Sequence, residues 1–374
     1  MLPSATDPVG RRVFLHVGLP KTGTTYLQDR LWRNRSAALR QGVLYPGDRS
    51  TDHFHAAVHL QPERYLDWVD PAFDGAWDRL VGAVRAWPGT SVISHELFAS
   101  ATAPQAAAAL ADLSFAQVHI VVTARDLGRQ IPSAWQEDVK NQQTATFDEF
   151  LATTAESEGG PNTFWEFQDL PRVLDTWAGG LPADRVHVVT VPPAGGPRDE
   201  LWRRFTATVG LDADALPATV PGSNAALSTA QIELLRRMNT RLQPERIEWA
   251  RYEAAVKEFL IGSVLFDLPA PDRPALPPAH SPWVRERAHA AAAVIRERGY
   301  DVVGDLSELE PVPPRRPAAA PSDEELLELA LDTLAETVRR MPLPQPTLAD
   351  RARPTLRRVY KRMGPLRTIV DRFR

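Results

Sequence analysis

A chain of 374 residues can bury a large core, as one enlarged domain or two ordinary ones, and is too long for a peptide-sized binding module. Its 43 Lys and Arg stand against 47 Asp and Glu, a formal charge of -4, so the chain as a whole carries no nucleic-acid signature and any anion must be held locally. There is no cysteine, which excludes disulfides, thiolate nucleophiles and cysteine-rich zinc sites.

The opening MLPSATDPVGRR has no apolar run of signal-peptide length, and no stretch is apolar enough to span a bilayer, so a soluble, cytoplasmic protein is expected. The abundance of Ala, Arg and Pro reads as the bias of a GC-rich genome and carries no functional weight.

In chain order, Val13 to Val17 is a short apolar run ending at Gly18, and Thr24 to Gln41 then follows helical spacing through Leu27, Leu31 and Leu39. Ser91 to Ser94, Val118 to Thr123 and Val186 to Val191 are continuous β-branched runs, the pattern of strands covered on both faces. Helical stretches lie between and after them, notably 129–143, 164–177 and 200–209. This alternation predicts an α/β fold, three layers around a central parallel sheet.

Beyond residue 220 the pattern is mainly helical, over 228–239 and 251–260, with no strand signal. Residues 266–321 are proline-rich around one helical island at 282–298 and read as a covering segment or linker, which divides the chain into 11–265, 266–321 and 322–374. In the last part Ser322 and Glu325 have capping-box spacing, and Leu327, Leu331, Leu334 and Val338 share one side of the helix they start.

The segment LHVGLPKTGTTYLQ joins the first strand to the first helix through Gly18, Pro20, Lys21, Thr22, Gly23, Thr24 and Thr25. Successive backbone N–H groups and the positive end of a helix dipole converge there, making an anion cradle. Gly23 admits close backbone approach, Lys21 supplies a compact charge, and the threonine hydroxyls add donors. A bare turn does not require this set. The lysine precedes Gly23 by two positions, whereas a nucleotide triphosphatase loop places it directly after the glycine.

Farther on, Val118 to Thr123 leads into ARDLGRQIPSAW, where Arg125 follows the strand and Ser133 comes eight positions later. An arginine fork and a serine early in a helix suit a phosphate; the alternatives are a salt bridge of Arg125 with Asp126 or Glu137 and an ordinary helical serine.

The order PKTGTT resembles the phosphosulfate loop of the sulfotransferases that use 3'-phosphoadenosine 5'-phosphosulfate (PAPS), and Arg125 with Ser133 resembles their 3'-phosphate motif. The P-loop-like fold, the PAPS donor and a hydroxyl or amine of a carbohydrate, lipid or secondary metabolite as acceptor are what this resemblance implies. It implies that Pro20, Lys21, Thr22, Gly23, Thr24, Thr25, Arg125 and Ser133 bind the donor, that Lys21 assists the leaving 5'-phosphate, and that no metal takes part. The likeness spans about residues 11 to 240, with Val209, Gly210 and Leu211 in place of a Phe-Leu-Gly-Leu turn. The Arg-Lys-Gly segment of the cytosolic branch is missing, so the likeness is closer to the bacterial and carbohydrate-type branches.

The strand before Arg125's ends in VISHELFAS. In the cytosolic branch a histidine at that strand end is the base, which implies His95; other branches use a glutamate, which implies Glu96. On an extended chain the two side chains point to opposite faces, and a neutral imidazole is the readier acceptor near pH 7, which favours His95. In DHFHAAVHL, His53 and His55 are further candidates for the base; His55 and His59 have helical zinc spacing without a third ligand and could line the acceptor pocket instead.

Residues 351–374 are basic, with Leu356, Val359, Tyr360, Met363, Leu366, Ile369, Val370 and Phe373 at helical spacing around Gly364 and Pro365. Such a segment lies on an anionic membrane or packs on the chain's own helical part. Two rival functions stay open: a P-loop kinase or nucleotide hydrolase, which needs magnesium, and a non-catalytic membrane-associated interaction protein.

Overall fold

The structure, a computed structural model, describes residues 10–66, 70–156, 163–197, 199–220, 226–242, 247–312 and 320–341. The basic segment 351–374 lies outside the described residues.

The first half of the chain runs β1 (Arg12–His16), α1 (Thr24–Arg40), β2 (Val43–Leu44), α2 (Asp52–His59), α3 (Ala76–Ala86), β3 (Thr90–Ser94), α4 (Ala103–Asp112), β4 (Gln117–Ala124), α5 (Leu127–Lys140) and α6 (Phe147–Glu156). It continues through α7 (Thr163–Gln168), α8 (Leu170–Ala178), β5 (Val186–Thr190), α9 (Glu200–Thr208), α10 (Thr229–Leu242), α11 (Trp249–Tyr252), a π-helical stretch over Glu253–Val264, α12 (Ser281–Glu297), β6 (Asp301–Val303) and α13 (Asp323–Arg340).

The six strands form one parallel sheet in the order β2-β3-β1-β4-β5-β6. Side chains alternate across it. Val13, Leu15, Ile93, Val122 and Val188 pack on one face with Leu80, Leu174 and Ile295 from α3, α8 and α12. Phe14, Val92, Val121 and Val189 pack on the other with Leu27 and Leu31 of α1 and Trp202 and Phe205 of α9. Helices cover both faces, which explains the unbroken apolar runs of the strands. The α/β expectation with a central parallel sheet is met.

The end of α9 closes as a Schellman turn: Gly210 N–H donates to Ala207 O, Leu211 N–H to Thr206 O, and Gly210 takes φ 78°. Leu211 is thereby returned to the core beside Phe205.

Three features differ from the sequence reading, the first being β2, an edge strand only two residues long. The segment 266–321 supplies a sixth strand, β6, paired with β5 through His187–Asp301 to Val189–Val303. It is three residues long at the sheet edge and none of the three is fully buried, so it carries no apolar run to read. On α13 the side shared by Leu327, Leu331, Leu334 and Val338 is the exposed one; Leu326 and Thr333 are the buried positions, on the side that meets α10 and the π-helical stretch.

Because the strands are parallel, the connections after β1, β3 and β4 emerge at one edge of the sheet. These three strands are neighbours, and the chain proceeds from β1 to opposite sides of it, the arrangement in which open α/β sheets form a crevice.

Candidate functional site

The loop after β1 is anchored to β4. Val17 N–H donates to Val121 O at 3.0 Å and Leu19 N–H to Thr123 O at 2.9 Å, which prolongs the ladder past the strand end. Thr22 is fully buried, and its hydroxyl is engaged by Leu19 O and the Thr123 hydroxyl. It therefore fastens the loop and offers no free hydroxyl to a ligand.

Gly23 is the N-cap of α1, with φ 92° and no side-chain cap, so the first-turn amides of the helix have no partner of their own there. A Cβ on Gly23 would stand 2.7 Å from Leu201 Cδ2. Lys21 also adopts the left-handed region, at φ 66°, an uncommon conformation for a lysine that aims consecutive peptide groups differently from a regular turn. Thr24 is buried, Thr25 is exposed, and Pro20 is half-buried.

The Lys21 ammonium lies 3.0 Å from Glu137 Oε2, and Lys140 stands 3.5 Å from the same oxygen. Burial pushes the Glu137 carboxyl up, but the two lysines outweigh it and hold it down at about 2. The adjoining Asp138, half-buried and beside that carboxylate, is raised to about 6 by desolvation first and by the charge of Glu137 second.

Arg125 extends from the β4 tip over the loop, its Nη1 donating to Lys21 O at 3.1 Å. Neither of the two alternative salt bridges forms: Asp126 caps α5 and pairs with Arg129, while Glu137 serves the lysines. Arg125 Nε is buried without a hydrogen-bond partner among the described residues. Burial and the nearby Arg129 depress its pKa to about 10. The group borders a cavity of about 150 Å³, with Leu19, Gln130, Trp165 and Arg287 among its walls. A half-buried guanidinium with an unpartnered Nε beside open volume is suited to an anion. Ser133 is half-buried on α5, one turn before Glu137 and on the same helical face.

On the opposite side of β1, the β3 tip runs into a short 3-10 turn over Glu96–Ser100. His95 N–H donates to His16 O at 3.1 Å, which keeps the strand end in register. His95 Nδ1 accepts from Leu97 N–H at 3.2 Å, so the neutral ring carries its proton on Nε2. Burial lowers its pKa, against the pull of Glu96. Glu96 Oε2 accepts from Gln28 Nε2 of α1 at 2.9 Å. Burial pushes this carboxyl up; His95, Gln28 and its own backbone amide outweigh it, and the group stays below the ordinary carboxylate range.

The other histidines divide cleanly. His53 uses both ring nitrogens, Nε2 on Pro46 O at 2.8 Å and Nδ1 on Ser94 N–H at 3.1 Å, so it is a strut under the β3 tip. His16 bridges Ser94 Oγ at 2.7 Å and Thr123 Oγ1 at 3.2 Å, tying three strands together. Burial drives both rings to about 4. His59 bonds Phe73 O at 3.0 Å, while the His55 ring lies against Phe54 and Phe73, and Phe54 also meets His95. Among the described residues no group of three or more His, Asp or Glu is arranged to hold a metal ion.

The arrangement thus gathers Lys21 and Arg125 into one cationic cradle, with Ser133 on the helix that carries their carboxylate partner. It places His95 and Glu96 at the neighbouring strand tip, and it takes the Thr22 hydroxyl and His53 out of reach. Sequence reasoning missed Gln28, whose only signal was its place one turn after Thr24, and the pairing of Glu137 with Lys21. The chain matches no known family model, and no curated protein matches it in sequence. No helix among the described residues is long and apolar enough to cross a membrane.

Proposed function

We propose that the cradle binds PAPS and that the protein transfers its sulfuryl group to a hydroxyl or amine of a small-molecule or glycan acceptor. The observation that carries this is the contact of Arg125 Nη1 with Lys21 O, which brings the two phosphate-binding motifs within one nucleotide's length. On this reading the α1 amides and Lys21 take the 5'-phosphosulfate, and Arg125 with Ser133 takes the 3'-phosphate.

Transfer breaks the bond between sulfur and the bridging oxygen as the acceptor oxygen bonds to sulfur. The electron pair leaves on the 5'-phosphate, where Lys21 meets the developing charge. The acceptor proton passes to Glu96, the role that His95 was expected to fill. The exchange follows from the tautomer: a ring whose Nδ1 accepts from Leu97 N–H presents Nε2–H, a donor, whereas Glu96 is an ionised carboxylate with Oε1 unused by Gln28. His95, with Phe54 and His55 beside it, then forms a wall of the acceptor pocket.

The test is an acceptor screen with sulfur-labelled PAPS in EDTA. Labelled product from the wild type and none from Lys21→Ala supports the reading. Turnover that appears only with a nucleoside triphosphate and magnesium replaces it with phosphoryl transfer.

A further inference from the structure

The helix α13 displays Leu327, Leu331, Leu334, Val338 and Met341, each more than half exposed, while an adjoining side buries Leu326 and Thr333. Their spacing alternates four and three residues, a heptad seam of about 21 Å at 1.5 Å per residue. No described residue covers it, and an apolar stripe of that size on a folded protein marks a binding face.

The same chain contains a complement. Leu356, Val359, Met363, Leu366, Val370 and Phe373 alternate three and four residues, the same 3.5-residue period. Charge agrees as well. Over 323–340 there are six acids, Asp323, Glu324, Glu325, Glu328, Asp332 and Glu336, against Arg339 and Arg340; over 351–374 there are nine Lys and Arg against Asp371 alone. The intervening residues 342–350 can reach about 30 Å when extended, and Pro342, Pro344 and Pro346 cannot continue the helix.

We infer that the exposed seam of α13 is the docking face for the chain's own segment 351–374, whose nine Lys and Arg meet the six acids of that helix. A second copy of α13 would set one helix of net charge -4 against another, and an anionic membrane would repel the same face, so both fit the seam less well than the basic segment. Gly364 and Pro365 divide the segment into two short halves, each matching about half of the seam.

The chain has no cysteine, so a pair can be introduced cleanly. In the full chain, Leu334→Cys with Met363→Cys, and Leu331→Cys with Met363→Cys to allow a one-turn slip, are oxidised mildly. The inference expects a disulfide within one chain in at least one pair, at a rate independent of protein concentration. It also expects hydrogen exchange over 351–374 to be at least tenfold slower than in the free peptide, and Leu331→Glu with Leu334→Glu, both at exposed positions, to restore the free-peptide rate. Disulfides only between chains, with a dimer on sizing, overturn it in favour of a second copy. Free-peptide exchange in the wild type overturns it too, and slowing only on addition of phosphatidylglycerol vesicles assigns the segment to lipid.

Discussion

The ammonium of Lys21 and the carboxylate of Glu137 lie 3.0 Å apart, so the cation proposed to meet the phosphosulfate rests on a carboxylate in the last turn of the helix after β4. An anion entering the cradle would compete with that carboxylate for the ammonium. Glu137→Gln removes the competitor while keeping the shape, and the affinity for adenosine 3',5'-bisphosphate should rise severalfold; Lys21→Ala should lower it tenfold or more, the loss of one charge-assisted bond of about 1.5 to 3 kcal/mol. Isothermal calorimetry reads both. An unchanged affinity in Glu137→Gln would mean that the pair is only structural.

The base assignment predicts a pH profile. A base must be ionised to act, and Glu96 is held below its ordinary value, so activity should stay level from about pH 8 down to about pH 5 and fall only below that. Glu96→Gln should reduce kcat at least a hundredfold, and His95→Gln less than tenfold with the larger effect in KM. A limb near pH 6 that disappears in His95→Gln would return the role to the imidazole.

Two buried rings predict acid sensitivity of the fold. His16 and His53 are neutral struts whose folded pKa, about 4, lies below the unfolded value of about 6.5. The stability they contribute is present above pH 6.5 and lost as pH falls toward 4, at roughly 3 kcal/mol for each ring. Asp138 acts in the opposite direction: its folded pKa is raised to about 6, so its ionisation destabilises as pH rises through that value. Thermal melts should show Tm falling steeply from pH 6.5 to 4, and Asp138→Asn raising Tm at pH 7.5 but not at pH 4.

Gly23 predicts a backbone effect. Any Cβ there meets Leu201 Cδ2 at 2.7 Å and must be borne at φ 92°. Gly23→Ala should cost about 1 to 3 kcal/mol of stability and abolish anion binding, whereas Thr25→Ala, at an exposed position, should leave the fold intact. Denaturant unfolding measures the first and calorimetry the second.

Much of this was legible in the residues. β1, β3, β4 and β5 declare themselves as unbroken apolar runs because helices cover both sheet faces, and a cradle between strand and helix follows from the order of Pro20, Lys21, Gly23 and Thr24. What stayed hidden depends on side chains meeting across the fold. The Thr22 hydroxyl is drawn inward by Thr123, a residue 101 positions away. The His95 tautomer is decided by the backbone of Leu97, which turns toward the ring because the strand gives way to a 3-10 turn. β6 escapes because an edge strand that no side fully buries needs no apolar pattern. On α13 the leucines that looked like a packing side are the exposed one, since periodicity shows that residues share a face and not what covers it.

The central claim is that Lys21 and Arg125 grip one doubly anionic nucleotide. Calorimetric titration of adenosine 3',5'-bisphosphate in EDTA into the wild type, Lys21→Ala and Arg125→Ala tests it most directly. Saturable heat with the wild type, and a Kd raised at least tenfold in each variant, is the expected result; no heat with the wild type, or binding that neither substitution weakens, would contradict it.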